Sequence, residues 1–278
     1  MTQTVNQAVL TVTATGVLVY GNDPTNAVYT PFYAGLTNSD TTNVISGKAT
    51  FSTDAASTSY IGSNYITHVV DMGTLSAANY SFVAGPDGAL AVTNRPLSVT
   101  NVLANAKDYD GTATATLNSA GAGLSGLVNG DEASVTLDAS AATGLFNNKN
   151  AGIGKAVQVS GMTTAGDLGT NYYVIQPATA ATISQTNITV TAAANSKTYD
   201  GTTNAAATPT ITAGSLQATD AANFTETYDT RNVGTGKTLT PAGSVTDGNG
   251  GANYAVTFAN DTTGEITTKP ITLSLIHI

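Results

Sequence analysis

The chain predicts an all-β protein of three tandem β-sandwich domains in an elongated array. Five landmarks recur in the same order three times, apolar residues alternate with period two inside each copy, and no long stretch of helical period interrupts them. Each element of that prediction rests on particular residues.

The copies open on alternating runs: "LTVTA" at Leu10, "LSVTN" at Leu97 and "ITVTA" at Ile188, with "ITLS" at Ile271 starting a fourth that is interrupted. About ten residues into each copy a tyrosine stands just before a glycine: Tyr20-Gly21, Tyr109-Asp110-Gly111 and Tyr199-Asp200-Gly201. A turn ending in aspartate follows, at Asp40, Asp131 and Asp220. Late in each copy comes an Asn-Tyr pair: Asn79-Tyr80, Asn171-Tyr172 and Asn253-Tyr254. A second alternating run closes the copy: "ALAVT", "ATISQ" and "GEITT". The second and third copies also share "NAGIGK" and "NVGTGK", where the first has "YIGSNY". The expected domains are therefore residues 1–95, 96–186 and 187–270, with 271–278 as the start of a fourth repeat.

Between the landmarks, "AVQVS", "YYVIQ", "NFTETY" and "YAVTF" place side chains alternately on two faces, as a half-buried strand requires. Strands at intervals of roughly ten residues, in a unit near ninety, predict a sandwich. The alternative is a β-grasp sheet with one short helix per copy, for which "TLSAANY" and "ATDAANF" are the helix candidates. The copies are joined by "NRP", "QTN" and "TKP". Such short, partly proline-containing links are expected to be stiff, so three domains in line would span on the order of 100 Å.

Composition narrows the function classes. An apolar fraction of 41% permits a packed core, whereas a charged fraction of 10% leaves Thr, Ser, Asn and Gly to cover the surface. The net charge of −9 provides no basic stripe for a nucleic-acid backbone and no basic patch for anionic lipid. Neither nucleic acid nor membrane insertion is expected, since no apolar run reaches the length of a span. The absence of cysteine excludes disulfides and thiolate chemistry. "MTQTVNQAVL" lacks the features of a signal peptide. If the protein is exported, the chain is expected to be an internal slice of a longer one. "LSLIHI", Leu273–Ile278, looks like the translation of a sequencing adapter and is set aside as an artefact overlapping the fourth repeat.

Asp-Gly between alternating runs is a hairpin-turn signal, because glycine accepts positive φ and aspartate caps its own turn. The tyrosine before it is expected to bury its ring and point its hydroxyl at a backbone carbonyl. The motif is therefore read as structural.

Other motifs fail on chemistry. "VGTGKT", Val233–Thr238, has Arg231 where a phosphate loop needs its first glycine, and Pro241 where a helix should run. "DYDG" and "TDGNGGAN" lack the ligand set of a calcium loop, so no cofactor is expected; calcium is kept only as a minor alternative. A Ser–His–Asp triad would need His68, in a strand-like run, or His277, in the excluded tail. No metal site and no catalytic residue is assigned, and the chain is not expected to be an enzyme. Lys107 and Lys197 are weighed as donors of Lys-to-Asn isopeptide crosslinks.

The order K-x-Y-D-G-T, N-x-G-x-G-K, N-Y and I-T-x-x-P resembles the YDG repeat of large bacterial surface proteins, such as filamentous-haemagglutinin-like adhesins. The first copy, which lacks the aspartate of Tyr-Asp-Gly, is similar to the mostly-bacterial Ig-like (MBG) repeat. The resemblance implies Ig-like, non-catalytic modules outside the cell, on the bacterial surface. The expected function is a stalk or spacer that holds an adhesin's binding tip away from the cell. Its expected partners are neighbouring repeats of the same chain. In the alternative each domain binds host or surface glycans or proteins, with Tyr29, Tyr33, Tyr60 and Tyr65 as contacts. An exposed aromatic cluster would favour binding, and burial of those rings would favour a spacer.

Overall fold

A computed structural model describes residues 4–217 and 219–274. The protein is all-β, and no α-helix occurs among the described residues. The three 3₁₀ turns are Pro24–Asn26, Thr42–Val44 and Gly169–Asn171.

The first copy supplies β1 (Ala8–Val19), β2 (Val28–Ala34), β3 (Thr50–Thr53), β4 (Tyr65–Asp71), β5 (Tyr80–Ala84) and β6 (Gly88–Thr93). The second supplies β7 (Arg95–Thr100), β8 (Leu103–Ala104), β9 (Lys107–Asp108), β10 (Thr114–Ala115), β11 (Leu117–Asn118), β12 (Gly123–Ser125) and β13 (Thr136–Asp138). It continues with β14 (Thr143–Phe146), β15 (Gly152–Ser160), β16 (Thr163–Ala165), β17 (Tyr172–Ile175) and β18 (Ala178–Ser184). The third supplies β19 (Thr186–Thr191), β20 (Ser196–Thr198), β21 (Thr210–Ala213), β22 (Ala221–Tyr228), β23 (Gly234–Thr246), β24 (Tyr254–Ala259) and β25 (Asp261–Thr267).

The landmarks occupy equivalent places in all three copies. The opening strand pairs antiparallel with the strand before the aspartate turn: β1 with β2, β7 with β12 and β19 with β21. On its other side it pairs parallel with the strand that starts at the Asn-Tyr tyrosine. The registers match, with Ala8 opposite Tyr80, Arg95 opposite Tyr172 and Thr186 opposite Tyr254. The segment leading to the Tyr-Gly landmark lies parallel to the closing strand: the end of β1 on β6, β9 on β18 and β20 on β25. Alternation produces these strands as expected. In β1, Leu10, Val12, Ala14 and Leu18 are buried, whereas Val9 and Val17, on the alternate positions, are exposed.

The described chain forms two compact units that cut across the sequence copies. One comprises Met1–Asn101, Gly121–Ala141 and Gly161–Pro177. Its core joins Leu18, Tyr20, Leu90 and Val92 of the first copy to Leu97, Val135 and Tyr172 of the second. The other comprises Val102–Ala120, Ala142–Ser160 and Ala178–Ile278. Its core joins Tyr109, Phe146, Val157 and Ile183 of the second copy to Ile188, Val190, Phe224 and Tyr254 of the third. A smaller cluster in this unit holds Ala192, Tyr228, Leu239 and Ile266 of the third copy alone. Each shared core thus lies between consecutive copies rather than inside one.

Several local expectations need correction. The helix candidates are not helical. Thr74–Tyr80 forms turns around an isolated bridge at Ser76, and Ala221–Phe224 opens β22, while Ala218 lies outside the described residues. Tyr80 and Phe224 are buried as strand residues, and that packing overrides local propensity. The links are shorter than expected: one residue, Asn94, separates β6 from β7, and one, Gln185, separates β18 from β19. The "NAGIGK" and "NVGTGK" segments run into bulged strands. The register shifts between Gly152 and Lys155 in β15 and between Gly234 and Lys237 in β23. Gly154 and Gly236 take the positive φ that lets the strand step out. A strand, not a helix, runs on from each, so the phosphate-loop pattern has no helix N-terminus behind it.

Candidate functional site

The polar landmarks of consecutive copies meet in two joints, one in each compact unit. In the first, Asp131 accepts from two phenols on a single oxygen: Tyr20 of the first copy at 2.9 Å and Tyr172 of the second at 2.5 Å. In the second, Asp220 accepts from Tyr109 at 3.0 Å and Tyr254 at 2.7 Å. The ring pairs are also alike. Tyr20 and Tyr172 meet edge to face at 5.3 Å between centroids, and Tyr109 and Tyr254 do so at 5.5 Å.

Backbone amides complete the arrangement. The Asn-Tyr hydroxyl accepts from the amide three residues before the aspartate, which is Val128 for Tyr172 and Gln217 for Tyr254. The asparagine reaches back into the preceding copy. Asn171 Oδ1 accepts from the Ile61 amide at 3.2 Å, and Asn253 Oδ1 from the Ala151 amide at 2.8 Å. Ile61 lies in "YIGSNY" and Ala151 in "NAGIGK", the segments equivalent in sequence. Both asparagines are buried. Buried polar groups that find partners in this way hold one geometry, because any other would leave them unsatisfied.

Burial, followed by the hydrogen bond to the aspartate, pushes the hydroxyls of Tyr172 and Tyr254 up to about 12. Tyr254 is pulled down in part by the Gln217 amide, yet the net shift is upward. Tyr20 is raised by the same two causes as Tyr172, and Tyr109 is raised chiefly by burial.

The glycine of the landmark lies against the same amide-bearing residue. A Cβ on Gly21 would collide with the Val128 side chain, and one on Gly111 would come within 3.3 Å of Gln217 Cβ. Both glycines have positive φ, at 75° and 78°.

The remaining part of the motif is a clasped turn. Asp110 Oδ1 accepts from the Thr112 amide at 2.9 Å, the Thr112 hydroxyl at 2.9 Å and Lys107 Nζ at 2.7 Å. Lys107 also donates to the Thr112 carbonyl. The third copy repeats every bond: Asp200 takes the Thr202 amide and hydroxyl together with Lys197 Nζ, which donates in turn to the Thr202 and Asn204 carbonyls. The Thr202 amide, then Lys197, lowers Asp200 to about 2. The amines of Lys107 and Lys197, considered for crosslinks, donate hydrogen bonds in these clasps.

The structure corrects one role assigned from sequence. The tyrosines of Tyr20-Gly21 and Tyr109-Asp110-Gly111 bury their rings as expected, but their hydroxyls seek a carboxylate in the next copy, not a nearby backbone carbonyl. Asp131 and Asp220 read as turn residues in the sequence, and nothing in one copy alone shows that they serve two tyrosines. The signal that could have found them is their regular spacing from the preceding copy's tyrosine.

The other candidate groups lie apart from these joints. His68 Nδ1 sits 2.8 Å from Asp87 Oδ1 on the exposed side of β4, and His277 lies outside the described residues. Asp247, in "TDGNGGAN", spends both oxygens on the amides of Asn249, Gly251 and Asn253. No cluster of three His, Asp or Glu side chains suited to a metal occurs among the described residues. No helix among them is long and apolar enough to cross a membrane.

Comparison with known proteins finds a repeated domain. No curated protein and no solved structure matches the chain. The model of the YDG domain matches residues 93–181 and again residues 184–264, together more than half of the 278 residues. The chain belongs to the YDG domain family, with two successive copies of the domain.

Proposed function

We propose that the chain is a non-catalytic spacer segment of a bacterial surface adhesin, working outside the cell to hold a binding tip away from it. In this reading the first copy is an MBG-type repeat and the three copies form an Ig-like array. One observation carries the proposal. At the two joints, Tyr20 and Tyr109, Asp131 and Asp220, and the pairs Asn171-Tyr172 and Asn253-Tyr254, which would otherwise be candidates for chemistry, are used in bonds between consecutive copies. Tyrosine, aspartate and asparagine spent in this way fix the angle at a joint and leave no reactive group facing a substrate. The single-residue links support the same reading, because a strand that passes directly into the next copy allows little bending.

The surface of the first copy gives little support to a binding module. Tyr29 packs on Phe51 and Tyr33 on Phe82, and Tyr65 is half-buried. Tyr60 is exposed but stacks on Tyr20 of the joint. The rings considered as ligand contacts are dispersed among separate packing contacts rather than gathered in one exposed patch.

Small-angle X-ray scattering at high dilution tests the spacer. A maximum dimension on the order of 100 Å with a narrow cross-section is expected for three domains in line. A compact particle would refute the stiff spacer and favour a composite binding surface.

A further inference from the structure

The turn that carries Asp131 holds a group of residues whose chemistry the first joint does not use. Val128–Asp131 is a tight turn, closed by the Asp131 amide on the Val128 carbonyl at 3.0 Å. Its two inner residues, Asn129 and Gly130, are exposed. Gly130 has a φ of 100°, and a Cβ there would meet nothing within 4 Å. The Gly130 amide donates to Glu132 Oε2 at 2.8 Å. In an Asn-Gly pair the glycine nitrogen reaches the preceding side-chain amide with no Cβ in the way. What holds the attack back is the proton on that nitrogen, since a neutral main-chain amide is a poor nucleophile. Here a carboxylate already accepts that hydrogen, at the distance a general base requires.

We propose that Asn129 is a site of spontaneous deamidation and that its conversion opens the first joint. The Gly130 nitrogen passes its proton to Glu132 and bonds to Asn129 Cγ. The Cγ–Nδ2 bond breaks, and the side-chain nitrogen takes the proton from Glu132 and leaves as ammonia. The product is a cyclic succinimide. Water, the one co-reactant, opens that ring at either carbonyl and leaves aspartate or isoaspartate at position 129. Nothing is oxidised or reduced. Isoaspartate carries the main chain through its own Cβ and Cγ, which lengthens the turn by one carbon. That carbon falls between two groups held by one hydroxyl: Tyr172 accepts from the Val128 amide at 3.0 Å and donates to Asp131 at 2.5 Å. A lengthened turn cannot present both. Val128 also lies against Gly21 of the first copy, so its displacement is felt across the joint.

The other aspartate turns do not share this chemistry. The equivalent pairs are Asn38-Ser39 in the first copy and Ala218-Thr219 in the third. Serine carries a Cβ where Gly130 has none, and alanine has no side-chain amide to attack. The chain's other Asn-Gly pair, Asn249-Gly250, is held. Asn249 Nδ2 donates to the buried Asn253 Oδ1 at 3.0 Å, and its main-chain amide is tied to Asp247 at 2.7 Å. Two joints built on the same bonds therefore differ in lifetime: the first is timed by its own turn, and the second is not.

The inference rests on the geometry of one turn and not on the adhesin reading. The whole chain, incubated at physiological temperature and mildly alkaline pH, should be followed by peptide mapping with mass spectrometry. The peptide holding Asn129 should gain the mass difference between NH₂ and OH well before the peptide holding Asn249. Glu132→Gln should slow that conversion about tenfold or more, as loss of a positioned base requires. Glu132 is exposed, and circular dichroism should show the variant folded as the parent. In the converted protein the Val128 amide should exchange its hydrogen about tenfold faster, the effect of losing one hydrogen bond. The Gln217 amide, which makes the same bond in the second joint, should keep its protection. An Asn129 that lasts as long as Asn249 would overturn the proposal. So would conversion of Glu132→Gln at the parent's rate, and so would a converted chain whose Val128 amide stays protected.

Discussion

Tyr109 donates its phenolic hydrogen to Asp220 at 3.0 Å from 111 residues away, and Tyr20 reaches Asp131 at 2.9 Å across the same 111 residues. A fixed separation longer than one repeat means that the contact belongs to the array rather than to the domain. A copy brings its own aspartate and Asn-Tyr tyrosine, which bond to each other as Asp40 and Tyr80 do. The copy before it adds the second phenol.

Removing the shared acceptor should therefore damage the joint more than removing either donor. Asp131→Ala leaves the hydroxyls of Tyr20 and Tyr172 without their carboxylate in a buried site. At about 1–3 kcal/mol for each of the two unsatisfied groups, a loss of roughly 2–6 kcal/mol is expected. Tyr20→Phe removes one donor, whose hydroxyl bonds to Asp131, and should cost about 1.5 kcal/mol. Urea denaturation of the two variants measures the difference. An alanine variant as stable as the parent would show that the carboxylate holds nothing together.

The same bonds make the joints sensitive to alkali. Tyr172 and Tyr254 are raised from the ordinary 10.0 to about 12, first by burial and then by the neighbouring carboxylate. The folded state therefore favours the neutral phenol. Its contribution to stability is complete below pH 10 and is lost as pH rises from there through about 12. Absorbance at 295 nm should resolve the chain's 12 tyrosines into a group ionising near 10 and a later group lost with the fold. A single transition near 10 in the native protein would contradict the buried joints.

How far the sequence was legible follows the range of the interactions. Alternation in "LTVTA" and "ITVTA" exposes strands because every second side chain answers to one face, a local property. At Asp110-Gly111 only the local part was legible: Asp110 caps an amide two residues away, but no hairpin forms, because the flanking strands β9 and β10 pair with β18 and β14 rather than with each other. The pairing of Tyr20 with Asp131 was not, because no local rule links residues 111 apart. The helices suggested by "TLSAANY" and "ATDAANF" failed where Tyr80 and Phe224 had to enter strands. The bulge at Gly152–Lys155 was not legible, because glycine serves turns and bulges alike.

The lysine clasp makes a prediction at acid pH. Asp200 is lowered from 3.8 to about 2, first by the Thr202 amide and then by Lys197. The clasp's contribution is present above pH 3.8 and is lost as pH falls through about 2. Carboxyl carbon shifts in an NMR titration should give Asp200 a midpoint near 2. Lys197→Met should move that midpoint upward while the Thr202 amide still holds it below the ordinary value. A midpoint that ignores the substitution would mean that the lysine does not reach the carboxylate in solution. Asp110 should behave alike in direction, since the bonds from Lys107 and Thr112 outweigh the burial that opposes them.

Glycine substitution separates a glycine packed in a joint from one that meets no neighbour among the described residues. Gly21 and Gly201 have similar positive φ, 75° and 83°, so alanine at either should cost roughly 1–2 kcal/mol for the left-handed backbone. At Gly201 nothing else opposes a Cβ. At Gly21 the new methyl meets Val128 of the next copy, and overpacking a joint that is already full should add about 1–3 kcal/mol. Gly21→Ala should thus lower the urea midpoint distinctly more than Gly201→Ala. Equal shifts would mean that the glycine serves only its own turn and that the close approach of consecutive copies places no demand on it.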